Sequence, residues 1–312
     1  MVYIILLNWN GFTDTVACLN SLLSLTGCEF KIVVCDNDSN DNSYVNLVDW
    51  GGKNKDRGLT LKEVSLNEIS ADFSTKDYNL FFIKNSSNLG FAGGNNPGIR
   101  FSLNQSDMKY VWLLNNDTEV DPYALTELLN KCCSNKKIGV CGSKLVYFHD
   151  RSLLQGVGGV YNPWLCTSKH YGAFLPSNTI FNEKKVDDSI DYVIGASMLI
   201  SKECFHEVGI LCEDYFLYYE EIDFCLRAKK KFEIAACTKS VVYHKEGAST
   251  ESGRSYVADY YSVRNRLRVT KKYYPYHIVT VWSSLALVAI NRLRRLEFKK
   301  MLVVLKIMAT GH

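Results

Sequence analysis

Strand-length apolar runs alternate with helical stretches through the first half of the chain. That alternation limits the fold more than any other feature of the sequence. Residues 2–7, 31–35, 80–83, 110–114 and 138–145 are nearly continuous in apolar side chains and end in polar or glycine-rich turns. Such runs fit strands covered on both faces, as in a parallel sheet. Between them, residues 15–25 carry Cys18, Leu19, Leu22 and Leu23 on one face, and 95–103 and 122–133 read as further helices. In the last of these, Asp121 is the expected N-cap and Pro122 the first helical residue. The β-α-β-α order implies an α/β fold on a doubly wound, mostly parallel sheet. Ligands of such sheets bind at the carboxyl ends of the strands. Asn8, Asp36, residues 85–88 and residues 115–117 all follow strand ends, so they are expected to line one rim.

The rhythm lapses over 147–191, which contains Gly156, Gly158, Gly159, Pro163 and Pro176. Loops and short antiparallel strands over the rim are expected there. An apolar run at 192–201, a helix at 220–231, a strand at 234–243 and a helix at 256–273 follow. Eleven cysteines are scattered without CxxC pairs, several inside apolar runs, which fits a reducing cytosol better than a disulfide framework. The opening MVYIILLNWNG has no basic n-region or cleavage site and reads as a strand.

The net charge of +3 hides an asymmetry. From Arg264 onward eleven Lys/Arg face one acid, Glu297, about +10, which leaves 25 − 32 = −7 for the rest. Residues 276–312 hold two apolar runs with basic margins, the first about a dozen residues long, too short for the roughly 20 that a bilayer span needs. A pair of interfacial amphipathic helices is expected, resting on a membrane surface or forming a homo-oligomer contact. No nucleic-acid partner is expected.

Four clusters carry candidate chemistry. Asn8-Trp9-Asn10 and Asp36-Asn37-Asp38-Ser39 stand at two strand ends, where a carboxylate could accept the N–H of a pyrimidine base; the same residues also make turns. Residues 88–98, NLGFAGGNNPG, read as a glycine-rich loop entering a helix, where backbone could approach a phosphate. It matches neither a Walker loop nor GxGxxG. Asn115-Asn116-Asp117 ends a buried strand and offers oxygen ligands to a hard divalent cation, with His244 as a further ligand. Glu220, Glu221 and Asp223 crowd three carboxylates into four residues, which suits a cation or a general base. Asp223 and Arg227, four apart, could instead form a plain helix ion pair.

Taken in order, the words LNWNG, VVCDNDSND, NLGFAGGNNPGI, WLLNNDTEV, VIGASMLISKECFHEVG, FLYYEEIDFCLRAKKK, VVYHKEGAS and YYSVRNRLRVTKKYYP resemble those of family 2 inverting glycosyltransferases of GT-A fold, the rhamnosyltransferase-like branch in particular. The resemblance implies one catalytic domain over 1–275, with a nucleotide-sugar-binding half (1–120) and an acceptor half (121–275), followed by the basic helical tail 276–312. It implies that Asn8, Asn10, Asp36 and Asn37 contact the base and ribose of a dTDP- or UDP-sugar, with Asn88, Gly93 and Asn95 by ribose and diphosphate. Asn115-Asn116-Asp117 takes the place of the family's Asp-x-Asp, so Asp117, assisted by His244, should hold Mg²⁺ or Mn²⁺. Glu220-Glu221 takes the place of a Glu-Asp pair, making Glu221 the favoured base and Asp223 the reserve. Gly195, Ala196 and Ser197 should shape the sugar and acceptor pocket, and Arg264 should lie near the leaving group. The implied reaction transfers a sugar, rhamnose from dTDP-rhamnose first, to a saccharide hydroxyl. The acceptor would be lipid-linked, at the inner face of a bacterial cell membrane. A UDP-hexose donor and a non-catalytic nucleotide-sugar-binding subunit are the alternatives.

Overall fold

The protein is described by a computed structural model over residues 1–70, 74–245 and 256–311. Its first half runs β1 (Val2–Asn8), α1 (Phe12–Leu22), β2 (Phe30–Asp36), α2 (Ser43–Lys53), β3 (Leu61–Val64), β4 (Leu80–Lys84), α3 (Gly90–Leu103) and β5 (Tyr110–Asn115). These five strands pair parallel in the order β3-β4-β2-β1-β5. The apolar runs are continuous because both faces are covered. Along β1, Tyr3 and Ile5 enter one core while Val2, Ile4 and Leu6 enter the other.

The second half continues with β6 (Thr118–Val120), α4 (Ala124–Ser134), β7 (Ile138–Tyr147), β8 (Leu154–Gly156), β9 (Gly159–Asn162), β10 (Thr167–His170) and α5 (Glu183–Ser189). Then come β11 (Ser197–Ser201), α6 (Lys202–Val208), α7 (Glu220–Ala228) and β12 (Glu233–His244). β11 inserts antiparallel between β5 and β7, β12 runs parallel to β7, and β6 closes that edge. The irregular stretch after β7 holds the small β9–β10 hairpin. Helix α8 (Tyr256–Tyr273) leads into an α9 (Ile278–Arg294) and α10 (Phe298–Thr310) pair. Their inner residues Val281, Leu285, Ala289, Val304 and Ile307 join the main core, and Arg292 forks onto Asp259 of α8.

Several boundaries differ from the sequence expectation for physical reasons. Asp121 and Pro122 do not start α4. The Asp121 carboxylate accepts from Tyr123 N at 3.0 Å in a turn just ahead of the helix. α1 begins at Phe12 and ends at Leu22, three residues early at each end. The apolar run 192–201 is strand only from Ser197, because Ser197 N turns back onto Ile194 O. The helix expected to reach residue 231 stops at Ala228. His244 is the last residue of its strand and does not follow it. α2 and β3 are additional elements, and the end of the VVYHKEGAS word, residues 246–249, lies outside the described residues.

The largest correction concerns residues 88–98. They form a helix from Gly90 onward, with Gly93, Asn95 and Pro97 inside it. The glycines serve packing. A Cβ on Gly94 would stand 2.6 Å from Leu7 Cδ1, and one on Gly98 would stand 2.8 Å from Cys35 Sγ. α3 therefore rests directly on β1 and β2, closer than side chains allow.

Candidate active site

The rim at the carboxyl ends of β1 and β2 is a tight polar network. Asn8 and Asp36 are register partners and both fully buried. Asn8 Nδ2 donates to Asp36 Oδ1 at 2.7 Å, and Ser39 N and Oγ donate to the same carboxylate. Asn37 donates to Asn88 Oδ1 and Gly90 O and accepts from Asn85 and Leu89 N. Apart from Asn85 Oδ1, which is buried without a partner, these groups are matched to one another. They hold a pair of turns in shape, and Trp9, Asn10, Asp38 and Asn40 are exposed there. Asn10 and Asp38 both adopt left-handed backbone, which Asn and Asp tolerate. Asn10 Oδ1 accepts from Asn40 N, tying the two turns together.

The tip of β5 is built differently. Asn116 Nδ2 donates to Thr15 Oγ1, which in turn donates to Asn8 Oδ1 at 2.8 Å, so the second polar tip hangs from the first. The Asp117 backbone carbonyl accepts from Lys245 N. Its Oδ1 lies 3.2 Å from His244 Nε2 but off hydrogen-bond geometry, and that oxygen is buried without a hydrogen-bond partner. The other imidazole nitrogen, Nδ1, sits 2.8 Å from Gln155 Oε1. An amide oxygen only accepts, so Nδ1 carries the proton in this contact. In the neutral ring the Nε2 lone pair then faces the Asp117 carboxylate. Burial works to raise the Asp117 carboxyl, yet His244 wherever its ring is protonated, and the Lys245 ammonium, pull it below the ordinary carboxylate range. Two acceptors turned toward each other, one of them a histidine oriented by an outer partner, suit a divalent cation. Among the described residues no group of three His, Cys, Asp or Glu side chains completes such a site.

Glu220 and Glu221 open α7 behind Tyr218 and Tyr219, two consecutive non-glycine residues in left-handed backbone, at φ 68° and 75°. That conformation costs about 1–2 kcal/mol per residue. Surrounding bonds hold it: Asn265 of α8 donates to the carbonyls of Leu217 and Tyr218, and Tyr219 OH donates to Cys166 O. Glu220 is buried and Glu221 partly accessible, and each has one carboxylate oxygen buried without a partner. Burial, then the charge of Glu221, pushes the Glu220 carboxyl well up. Burial pushes Glu221 up to about 7, against nearby backbone N–H groups that pull it down.

One chain of contacts joins the carboxylate pair to the β5 tip. Asn115 N donates to Ala196 O at 3.0 Å, and a Cβ on the adjoining Gly195 would stand 3.7 Å from Glu221 Cβ. The Asn115–Asp117 tip and Glu221 thus flank the same two-residue turn. Of the other candidates, Asp223 is elsewhere. It is fully buried and takes Arg227, Lys272 and Tyr273 OH, so it anchors α7 to α8 and is no reserve base. Ser197 is buried between Trp112 Nε1 and Ser143 Oγ, and Ala196 is buried beside it, which leaves Gly195 as the accessible residue of that trio. Gly93 lies in the α3 interior, and Asn95 is buried with its amide on Phe91 O, so neither is a loop donor toward a phosphate. Arg264 stacks on Tyr261 and donates to Asp214 O, with its Nε buried and unpartnered. Sequence reasoning missed Gln155 and Thr15, whose roles depend on partners 89 and 101 residues away. It also missed Asn96, which donates to Leu211 O and Glu213 and fastens the loop ahead of Glu220 onto α3.

Residues 65–209 match the sequence model of the family described as Glycosyl transferase family 2. That segment belongs to glycosyl transferase family 2. The family 2 segment covers just under half the chain; it includes Asp117 and Gly195 and ends before Glu220. A curated relative, the low-salt glycan biosynthesis hexosyltransferase Agl10 of Haloferax volcanii, is 28% identical over 200 residues, 60% of this chain and 59% of its own length. The fold is that of known GT-A glycosyltransferases. GalNAc-T7, solved with UDP, GalNAc and Mn²⁺, superposes with a TM-score of 0.61 at 14% identity over 86% of this chain and 48% of its own. The mannosyltransferase PcManGT of Pyrobaculum calidifontis, solved with GDP-mannose and Mn²⁺, gives 0.58 at 10% identity over 99% and 87%. S. aureus TarS with UDP gives 0.51 at 14% identity over 86% and 64%. The chain spans about half to two thirds of the length of three of these relatives.

Proposed function

We propose that this protein is an inverting glycosyltransferase that moves a hexosyl unit from a nucleoside-diphosphate sugar to a hydroxyl of a saccharide acceptor. One observation carries the reading: the inward-facing Asp117–His244 pair and the raised, partly accessible Glu221 flank the same Gly195-Ala196 turn. The named ligands of GalNAc-T7 and PcManGT support a nucleotide-sugar donor and Mn²⁺ or Mg²⁺. Asp117 and His244 would hold that ion, which supplies neutralisation of the diphosphate charge that grows as the donor bond breaks. Glu221 takes the proton of the acceptor hydroxyl as its oxygen forms the new glycosidic bond on the face opposite the departing diphosphate. Asp117, Thr15 and Asn116 fix one side of the cleft. Asn265 and Asn96 fix the loop that presents the base on the other. Trp9, Asn10 and Asp38 are the side chains available to the nucleobase and ribose. Rhamnose from dTDP-rhamnose and UDP-hexoses are the donors to test first. A lipid-linked saccharide acceptor, met at the inner face of the membrane, fits the apolar outer faces of α9 and α10.

Thermal-shift and transfer assays over a set of nucleotide-sugars, with and without Mn²⁺, test this reading, since a ligand bound to the native state raises the midpoint. The expected result is a Mn²⁺-dependent rise with one donor and turnover with a saccharide acceptor. Asp117→Asn should lose both, and Glu221→Gln should keep donor binding while turnover falls by about 10²–10⁴-fold. Near-wild-type turnover in either variant would refute the assignment. Binding without turnover in the unaltered protein would favour a non-catalytic binding subunit.

A further inference from the structure

The outward faces of α9 and α10 are apolar, although their inward faces already fill the core. On α9, Val279, Trp282, Leu287 and Ile290 are exposed, opposite the buried Val281, Leu285 and Ala289. On α10, Phe298, Leu302 and Leu305 are exposed, opposite Val304 and Ile307. A helix apolar all round belongs in a fully apolar setting, and a contiguous exposed patch of this kind marks an interaction surface. The patch extends beyond the tail. Trp164 and Leu165, at the tip of the β9–β10 hairpin, are also exposed, and the Trp164 ring meets His277 at 4.2 Å and a 48° tilt while its carbonyl accepts from Thr280.

Charge selects the occupant. Residues 276–311 carry six Lys/Arg against one acid, a net 6 − 1 = +5. Arg292 is committed to Asp259 and Lys300 to Glu297, which leaves Arg294, Arg295, Lys299 and Lys306 exposed beside the apolar face. A second copy seated symmetrically on this face would bring those cations against their own equivalents, and the single acid is already paired. An anionic lipid surface meets both properties at once. Among the described residues no helix is long and apolar enough to cross a bilayer, so the pair lies on the surface. We propose that α9, α10 and the Trp164–Leu165 tip form a docking face for an anionic phospholipid surface. The placement has a consequence for orientation. Cys166, next to that tip, accepts the hydroxyl of Tyr219, the residue before Glu220, so the face and the carboxylate pair lie at the two ends of one contact. Docking itself does not depend on the transferase reading.

The full-length protein is floated with vesicles of phosphatidylcholine alone and with a third phosphatidylglycerol, at low and high salt. The expected result is salt-sensitive binding to the anionic vesicles and a blue shift of tryptophan emission that Trp282→Phe diminishes. Leu287→Ser with Leu302→Ser should weaken binding at least tenfold, and Arg294→Glu with Lys299→Glu should abolish the preference for anionic lipid. All four positions are exposed, so the thermal midpoint should be unchanged. Absence of vesicle binding, or variants that bind as wild type does, would overturn the proposal. So would a stable dimer in solution that dissociates on the Leu287/Leu302 substitutions, which would give the face to a second copy.

Discussion

Asp117 and Glu221 are both carboxylates at element ends, yet their surroundings push them in opposite directions. Asp117 is held low beside His244 and Lys245, so it stays an anion available to a cation. Glu221 is raised from 4.5 to about 7, so it can hold and release a proton near neutrality. A carboxyl whose folded value lies above its unfolded value destabilises the fold where it is ionised. The cost is absent below about pH 4.5, grows between there and about 7, and is complete above. Two measurements follow. The acid limb of the kcat/KM profile should fall as pH drops through about 7 if, as proposed, the ionised carboxylate takes the acceptor proton. Glu221→Gln should raise the thermal midpoint more at pH 8 than at pH 4.5 while removing that limb. An unchanged limb would separate it from the proton transfer. At this scale the sequence singled out Asp117 and Glu221, and the structure sets the β5 tip and Glu221 on either side of the Gly195-Ala196 turn. For Asp223 it offered two readings, and the plain helix ion pair with Arg227 is the one formed, with Lys272 and Tyr273 taking the rest of the carboxylate.

The element with most consequence for the site is α3. A glycine-rich word reads as a phosphate loop when only backbone freedom is considered. Packing decides otherwise, because β1 and β2 lie so close that glycines are needed inside the helix. One glycine does use its freedom. Gly90 has φ +71°, and a Cβ there would stand 2.1 Å from Phe216 O, which accepts from Phe91 N at 2.7 Å. That contact pins the loop leading to Tyr218 and Glu220. Gly90→Ala should therefore cost about 1–2 kcal/mol from conformation alone, with a further loss from backbone displacement and a drop in turnover. Gly52→Ala, in the last turn of α2 with only Leu61 Cδ2 at 3.8 Å, should instead stabilise by up to about 1 kcal/mol. Urea denaturation of both variants checks the contrast, and equal effects would show that Phe216 yields freely. β1, β2, β4, β5 and β7 were legible to within a residue or two because burial on both faces writes a continuous apolar run, whereas the short β3 and β6 were not. α2 was not either, since Gly51-Gly52 break its pattern; only Gly51 is packed tightly, with Leu80 Cδ2 3.0 Å from where its Cβ would stand.

For the whole molecule, the parallel strands set one rim of polar tips, and the inserted antiparallel β11 brings the Gly195-Ala196 turn against it. The first part was readable from the alternation of elements. The second was not, because an antiparallel insertion between β5 and β7 leaves no local signature, and the Asn115–Ala196 bond links residues 81 apart in the chain. α8 braces the arrangement from behind, with Asn265 on the loop ahead of Glu220 and Lys272 on Asp223 of α7. The account stands on a cation and diphosphate at the β5 tip facing the Glu221 carboxylate across that turn. The direct measurement is a crystal structure with Mn²⁺ and the donor found by the thermal-shift screen, with manganese located by its anomalous signal. The account predicts manganese in coordination range of an Asp117 oxygen and His244 Nε2, with the donor's anomeric carbon on the side facing Glu221. Manganese and diphosphate bound away from Asp117, or a sugar with Glu221 outside its cleft, would contradict it.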